Sequence, residues 1–170
     1  MSLIFEVTNA IKERADLSWL TSSQRICFEA IMRELRYPSL INLYGDCGSG
    51  KTFLGWIIQQ ETSGYYLPLP KSVKELQPLS DNIFIIDNCS WTRIQFREIL
   101  KQLQFLSITK AVIITRQKIQ DDILAIKLEL TSEDISTVLN NLRKIGYICP
   151  ARDISNLWEL FTIHKGGDHA

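Results

Sequence analysis

The sequence predicts an α/β protein of three layers, in which helices cover both faces of a central, mainly parallel five-stranded sheet. Short apolar runs alternate with amphipathic helical patterns along the chain, as they do in folds of this class. One run, 82–87, is apolar on both of its faces, which is typical of a strand buried between two layers of helices. A glycine-rich loop at 45–52 separates a strand pattern from a helix pattern.

Two helices are predicted before the first strand. Apolar residues at helical spacing predict a helix over 3–14. Thr21 and Gln24 have the arrangement of a capping box, and the amphipathic pattern behind them predicts a second helix that ends before Pro38. The apolar run 40–44 then predicts a β-strand that stops at the glycine-rich loop.

Beyond the loop the chain alternates between helices and strands, and a polar stretch through Ser80 predicts a loop with room for one helical turn. The predicted elements are a helix from 53, a short strand within 65–70, a strand at 82–87, a helix over 96–103, a strand at 111–115, an alternating strand through Ile126, Leu128 and Leu130, a capped helix from Thr131 to Gly146, and a short helix over 154–161.

Length and composition predict a single compact domain. A chain of 170 residues, 45% of them apolar, is long enough for one core. We place the core domain at 1–146 and a short C-terminal helix and tail at 147–170. Nineteen basic residues balance nineteen acidic ones, which excludes a strong general attraction to nucleic acid or anionic lipid.

The cysteines and the hydropathy pattern indicate where the protein works. No two of the four cysteines have the short spacing of a zinc or redox site, which favours free thiols in a reducing compartment. No apolar run approaches the roughly 18 residues that a membrane-spanning helix needs. We therefore expect a cytoplasmic protein with no membrane partner.

The glycine-rich loop is the strongest candidate site. Glycines between a strand and a helix let successive N–H groups surround phosphate oxygens at the positive end of the helix dipole. Lys51 would reach the β- and γ-phosphates, and the Thr52 hydroxyl would bind magnesium. The alternative is a glycine-rich turn that holds no ligand. The predicted nucleotide-binding residues are Gly45, Cys47, Gly48, Ser49, Gly50, Lys51 and Thr52.

Three residues after the later strands complete the predicted site. Asp87 ends the strand at 82–87 and is placed to hold Mg²⁺ as the Walker B carboxylate, or, alternatively, to cap the following helix. Asn88 can orient water but cannot take a proton, which predicts weak hydrolysis. Arg116 follows the strand at 111–115 and could lie over the γ-phosphate, or be a plain surface arginine.

A basic ridge is predicted on the helix after Asp87. Arg93, Arg97 and Lys101 recur every fourth residue, with no acidic partner at matching spacing. The ridge could contact the acidic face of a protein partner, a nucleic-acid backbone or a nucleotide bound to a neighbouring copy. A solvated helix face is the alternative.

From about 20 to 142 the order of these motifs resembles the AAA+ superfamily and its relatives, the STAND ATPases that include the NB-ARC family. The resemblance implies a P-loop NTPase of the additional-strand type, in which the strand at 111–115 lies between the two strands of the phosphate site. It also implies that Arg116 reads the γ-phosphate and that residues 128–134 begin a lid. Asn88 departs from the usual second acid, and the lid after Gly146 is very short.

Three functions fit these features. The first is an ATP-binding switch or assembly factor for a protein partner, which binds ATP or ADP with Mg²⁺ and hydrolyses slowly. The second is a small-molecule kinase, although residues 117–135 lack the arginines usual in a kinase lid. The third is a DNA-associated loader or regulator ATPase that uses the basic ridge. Strand order separates the first from the second, because adjacent phosphate-site strands would favour the kinase.

Overall fold

The computed structural model describes residues 3–14, 16–70, 82–89, 92–119, 123–148 and 164–165. Its helices are α1 (Leu3–Glu13), a 3₁₀ turn (Leu17–Trp19), α2 (Ser22–Glu34), α3 (Lys51–Thr62), α4 (Arg93–Phe105) and α5 (Ser132–Lys144). Its strands are β1 (Ser39–Tyr44), β2 (Tyr65–Leu67), β3 (Phe84–Ile86), β4 (Lys110–Thr115), β5 (Leu124–Lys127), β6 (Tyr147–Ile148) and β7 (His164–Lys165).

Five strands form one parallel sheet in the order β2-β3-β4-β1-β5, which confirms the predicted α/β fold. Strand β4 lies between β1 and β3, the order that the resemblance implied and not the adjacency expected of a small-molecule kinase. Tyr44 pairs with Thr115, and Ile86 pairs with Ile113. Because parallel strands end at the same edge of a sheet, the segments after β1, β3 and β4 meet there.

The core consists of two apolar layers, one on each face of the sheet, because successive strand residues point to opposite faces. On one face, Ile41 and Leu43 of β1 pack with α2 and α3. On the other, Phe84 and Ile86 of β3 pack with α4. Because apolar side chains pack on both faces of the sheet, the positions of the strand ends are well defined. The segments that follow the strands therefore begin at defined positions.

Two parts of the prediction differ from the structure. The fifth strand covers 124–127 and not the alternating residues up to Leu130. Its partner β1 ends at Tyr44, whose carbonyl oxygen accepts a hydrogen bond from the Leu128 amide at 2.8 Å, so residues beyond Leu128 have no strand to pair with. The short strands β6 and β7 form an antiparallel pair that the sequence did not predict. The predicted helical turn before Ser80 and the helix over 154–161, which would form the lid remnant, lie outside the described residues.

Helix α5 begins at a buried carboxylate that also reaches α2. Asp134 accepts hydrogen bonds from the Thr131 amide at 2.7 Å and from the Ser23 amide at the start of α2 at 3.0 Å. Burial alone would raise the pKa of Asp134, but the hydrogen bonds from Ser23 and Thr131 outweigh it and hold the pKa at about 2. The ionised carboxylate therefore joins two helix N-termini.

We expect Asp134→Asn to lower the free energy of unfolding at pH 7 by ~2 kcal/mol, because the wild-type carboxylate titrates well below its ordinary value of 3.8. A depressed pKa in the folded state stabilises above the unfolded pKa and ceases to do so as pH falls, so the difference should vanish between about pH 4 and pH 2. Urea unfolding across this range measures it, with the exposed Glu133→Gln as control. A difference that stays constant with pH would contradict the assignment.

Candidate nucleotide-binding site

The glycine-rich loop runs from the end of β1 to the start of α3 and needs glycine at its two ends. A Cβ atom on Gly45 would lie 2.2 Å from the Leu128 carbonyl oxygen, a distance that no side chain tolerates. Gly50, the N-cap of α3, has a φ of 84°, in the left-handed region that favours glycine. The loop therefore holds its backbone at the N-terminus of α3, where N–H groups have no partner within the helix.

Lys51 is buried and turns back onto this loop. Its ammonium donates to the carbonyl oxygens of Gly45 and Asp46, both at 2.7 Å, and to the Ser49 hydroxyl at 3.1 Å. Burial lowers the pKa of Lys51; Cys47, Asp87 and Asp46 raise it, and the positive charge of Arg116 lowers it. The ammonium is thus held by the loop that would bind the phosphates.

Asp87 directly follows β3 and faces the first turn of α3. Its Oδ2 atom accepts hydrogen bonds from the Thr52 hydroxyl at 2.7 Å and from the Tyr66 hydroxyl at 2.5 Å. Its Oδ1 atom accepts from the Asn88 amide at 2.6 Å. Burial and the Asp87 carboxylate raise the pKa of Tyr66, so the phenol keeps its proton and donates. The carboxylate is only 2% exposed and has a fixed orientation.

The Thr52 and Asp87 oxygens fit a magnesium ion. Mg²⁺ takes oxygen ligands and keeps several waters, so one hydroxyl and one carboxylate next to bound phosphates suffice. Among the described residues there is no group of three or more His, Cys, Asp or Glu side chains that could hold a metal by itself. This donor set matches a metal that arrives with a nucleotide and does not match a structural zinc site.

Asn88 occupies the position after Asp87 in a left-handed conformation, with a φ of 53°. Asparagine tolerates this region better than other residues with a Cβ atom. Its side-chain amide donates to the Pro68 carbonyl oxygen at 2.9 Å, beyond the end of β2. The side chain is exposed and lies at the edge of the cavity that Asp87 borders.

A cavity of about 490 Å³ unites most of the predicted site. The predicted residues that line it are Cys47, Gly48, Gly50, Lys51, Thr52, Asp87, Asn88 and Arg116. Gly45 and Ser49 do not line it; both supply oxygen atoms to the Lys51 ammonium. The segments after β1, β3 and β4 thus converge on one space, as parallel strands with a common edge predict.

The cavity also has residues that the sequence analysis missed. Phe53 and Trp56 of α3 line it, and the spacing of Trp56, four residues after Thr52 on the same helix, could have indicated its position. Thr8 and Ile11 of α1 line it as well, while Val7 of the same helix packs in a cluster with Leu142 of α5. The position of α1 depends on contacts between residues far apart in sequence, so no local pattern predicts it.

The basic ridge lies elsewhere, on the exposed side of α4. Arg93, Arg97 and Lys101 are exposed and do not line the cavity. The expectation that the ridge has no acidic partner was wrong, because Lys101 lies 3.8 Å from Glu98, three residues earlier on the same helix. The ridge is thus separate from the site at the strand ends.

Solved structures with this fold include replication initiators. A DNA replication initiation factor matches with a TM-score of 0.56 at 13% identity, over 83% of this chain and 59% of the other. DnaA bound to AMPPCP and single-stranded DNA matches with a TM-score of 0.54 at 12% identity, over 83% and 60%. AMPPCP-bound DnaA from Aquifex aeolicus matches with a TM-score of 0.52 at 13% identity, over 83% and 60%. The chain has the AAA+ fold.

This likeness establishes the fold alone, since the identity is low and the chain spans about 60% of the length of those proteins. No protein-family model matches the sequence, and no curated protein sequence is significantly similar to it. The STAND subgroup and the boundary after residue 146 stay predictions. In the described part of the chain, none of the helices has the length and apolar character needed to span a bilayer.

Proposed function

We propose that this AAA+ domain binds ATP with Mg²⁺ and acts as a nucleotide-dependent switch or assembly factor with slow hydrolysis. The observation that carries the proposal is the 2.7 Å hydrogen bond between Thr52, at the start of α3, and Asp87, at the end of β3. It places a hydroxyl and a carboxylate side by side at one edge of a cavity of about 490 Å³, which is within the size range of small-molecule sites. Mg²⁺ bound there with the nucleotide would neutralise charge on the β- and γ-phosphates.

The Lys51 contacts support a site that changes with its ligand. The ammonium already has three oxygen partners, all supplied by the loop itself. Phosphate oxygens carry more negative charge than carbonyl oxygens and form stronger, charge-assisted hydrogen bonds with an ammonium. Bound phosphates would therefore draw Lys51 away from Gly45 and Asp46 and leave those carbonyls to the solvent or to new partners.

Arg116 supports discrimination between ATP and ADP. It lines the cavity together with Lys51, and its charge is close enough to lower the pKa of that ammonium. A γ-phosphate placed between the two cations would relieve this repulsion, whereas ADP has no group to do so. We infer that Arg116 contacts the γ-phosphate and thereby makes the segment after β4 sensitive to the nucleotide.

Helix α1 is the element that we expect to move when the bound nucleotide changes. Its Thr8 and Ile11 line the cavity, and its Val7 packs in a cluster with Leu142 of α5. Lys12 lies 5.7 Å from the ring centre of Trp56 on α3. A nucleotide in the cavity would therefore contact a helix that also contacts α3 and α5. Movement of α1 would then alter the surface available to a protein partner.

Hydrogen exchange of the α1 amides tests the switch. With Mg²⁺ present, we expect ATP and ADP to give different protection over Leu3–Glu13, because only ATP carries the phosphate that Arg116 would contact. The matched control is helix α4, on the opposite face of the sheet, whose protection should not depend on the nucleotide. Equal protection of α1 with ATP, with ADP and without nucleotide would reject the switch.

We expect Asn88→Glu to raise the rate of ATP hydrolysis about tenfold or more. A carboxylate at this position can take the proton of an attacking water, which the Asn88 amide cannot. The gain is limited because glutamate fits the left-handed backbone less well and loses the hydrogen bond to Pro68. Asn88→Gln, which shares the length but not the basicity, is the control. Equal steady-state rates in Asn88→Glu and wild type would refute the missing-base explanation.

A DNA-associated ATPase is the second candidate. One structural neighbour is a replication initiator bound to single-stranded DNA. On this chain, Arg97 and Lys101 lie on the same helix as two highly exposed apolar side chains, Ile94 (78%) and Phe105 (88%). Cations together with an exposed aromatic ring are typical of surfaces that bind single strands. A complex with single-stranded DNA that forms only with ATP, and not in Arg97→Glu, would favour this function.

A further inference from the structure

One polar side chain interrupts the apolar centre of β1. Asn42 lies between Ile41 and Leu43 and is fully buried. Its amide nitrogen donates to the Thr115 hydroxyl at 2.8 Å and to the Ile113 carbonyl oxygen at 3.2 Å, both on β4. A buried amide costs free energy unless its atoms are hydrogen-bonded, so an apolar residue would serve the sheet alone at least as well.

The remaining hydrogen bonds of this group lead past the end of β4. The Asn42 Oδ1 atom accepts from the Ile119 amide at 3.4 Å. The Thr115 hydroxyl, which accepts from Asn42, donates in turn to the Gln117 carbonyl oxygen at 2.8 Å. The backbone is thus tied to the buried network at 115, 117 and 119. Arg116 lies inside this segment, with an exposed side chain at the cavity.

We propose that Asn42 is a positioning residue that fixes the 115–119 segment so that Arg116 faces the γ-phosphate. Asn42 does not itself line the cavity, and it acts through Thr115 and the segment backbone. Ile119 is buried against the α4 side of the sheet, which gives the far end of the segment a second anchor. The inference rests on the proposed role of Arg116 in distinguishing ATP from ADP.

Nucleotide titrations of four variants test the proposal. Asn42→Leu removes the hydrogen-bond network, and Thr115→Val removes its link to Gln117. Arg116→Ala removes the side chain proposed to contact the γ-phosphate. The control, Ile113→Val, shortens a buried side chain on the same face of the sheet and leaves every side chain of the network in place. Calorimetry with Mg²⁺ gives separate dissociation constants for ATP and ADP. A general structural defect would weaken both nucleotides together, whereas misplacement of Arg116 weakens ATP alone.

We expect the first two variants to reduce the preference for ATP over ADP about fivefold or more, the ratio that one lost hydrogen bond produces. Their preference for ATP should then equal that of Arg116→Ala. Their affinity for ADP should stay within about twofold of wild type, and Ile113→Val should keep the wild-type preference. If Asn42→Leu does not fold, Thr115→Val decides. A folded variant that keeps the wild-type preference, or that weakens ATP and ADP equally, overturns the proposal.

Hydrogen exchange of the Ile119 amide, measured without nucleotide, separates this proposal from the proposed function. Its donation to Asn42 predicts exchange about tenfold faster or more in Asn42→Leu than in wild type, with Ile113→Val as control. Unchanged exchange overturns the positioning role of Asn42. If the wild type binds neither nucleotide, or binds both equally, the proposed function fails while the exchange result still shows whether Asn42 anchors the segment.

Discussion

Replacing Lys51 with alanine is expected to weaken the binding of both ATP and ADP about a hundredfold or more. The ammonium is the buried cation of the cavity and lies within the loop at the N-terminus of α3. Charge-assisted hydrogen bonds are worth roughly 1.5–3 kcal/mol each, and contacts with two phosphates would add. ATP and ADP both lose the β-phosphate contact, so neither should retain micromolar affinity.

Calorimetry on Lys51→Ala and on a matched lysine variant measures this effect. Lys144→Ala, at the exposed C-terminal end of α5, removes a lysine outside the cavity and should bind like wild type. Because Lys51 also donates to Gly45 and Asp46, its removal leaves loop carbonyls unpaired. Thermal unfolding therefore accompanies the titration. A folded Lys51→Ala protein with wild-type affinity would show that the loop does not bind phosphates.

Asp87→Asn is expected to make nucleotide binding independent of Mg²⁺ and to reduce any ATP hydrolysis about a hundredfold. The substitution keeps the shape of the side chain but removes the negative charge that Mg²⁺ requires. The carbonyl oxygen of an asparagine can still accept hydrogen bonds from Thr52 and Tyr66, both of which donate to Oδ2 in the wild type. The loss of charge should therefore act on the metal more than on the fold.

Affinity for ATP measured with Mg²⁺ and with a chelator tests this expectation. Asp46→Asn is the matched control, because Asp46 is an exposed acid in the glycine-rich loop that does not line the cavity. The control should keep the wild-type dependence on Mg²⁺. If Asp87→Asn also keeps it, Asp87 does not hold the metal; the alternative role of capping the following helix does not apply, because the N-cap of α4 is Thr92.

The phosphate loop could be predicted from the sequence because its signals are local. Glycines at 45, 48 and 50, an apolar strand before them and a helix after them need no knowledge of distant contacts. Asp87 was predictable for the same reason, as the acid that ends a strand buried on both faces. The order of the strands was inferred only through the resemblance, since periodicity does not specify which strands are neighbours.

The residues that the sequence did not reveal act through long-range contacts. Tyr66 reaches Asp87 only because β2 lies beside β3 in the sheet. Asn42 looked like one polar residue in a short strand, and its role emerges from hydrogen bonds to residues more than 70 positions away. The end of β5 was misplaced because the apolar alternation continues past the point where β1, its partner, has already ended.

We propose that the glycine-rich loop, Asp87 and Arg116 together form a nucleotide sensor. A titration of the wild-type protein tests this most directly. With Mg²⁺ present, calorimetry should show one site per chain that binds both nucleotides, with ATP tighter than ADP and a dissociation constant below about 100 μM. If neither ATP nor ADP binds at about millimolar concentration, the protein is not a nucleotide sensor.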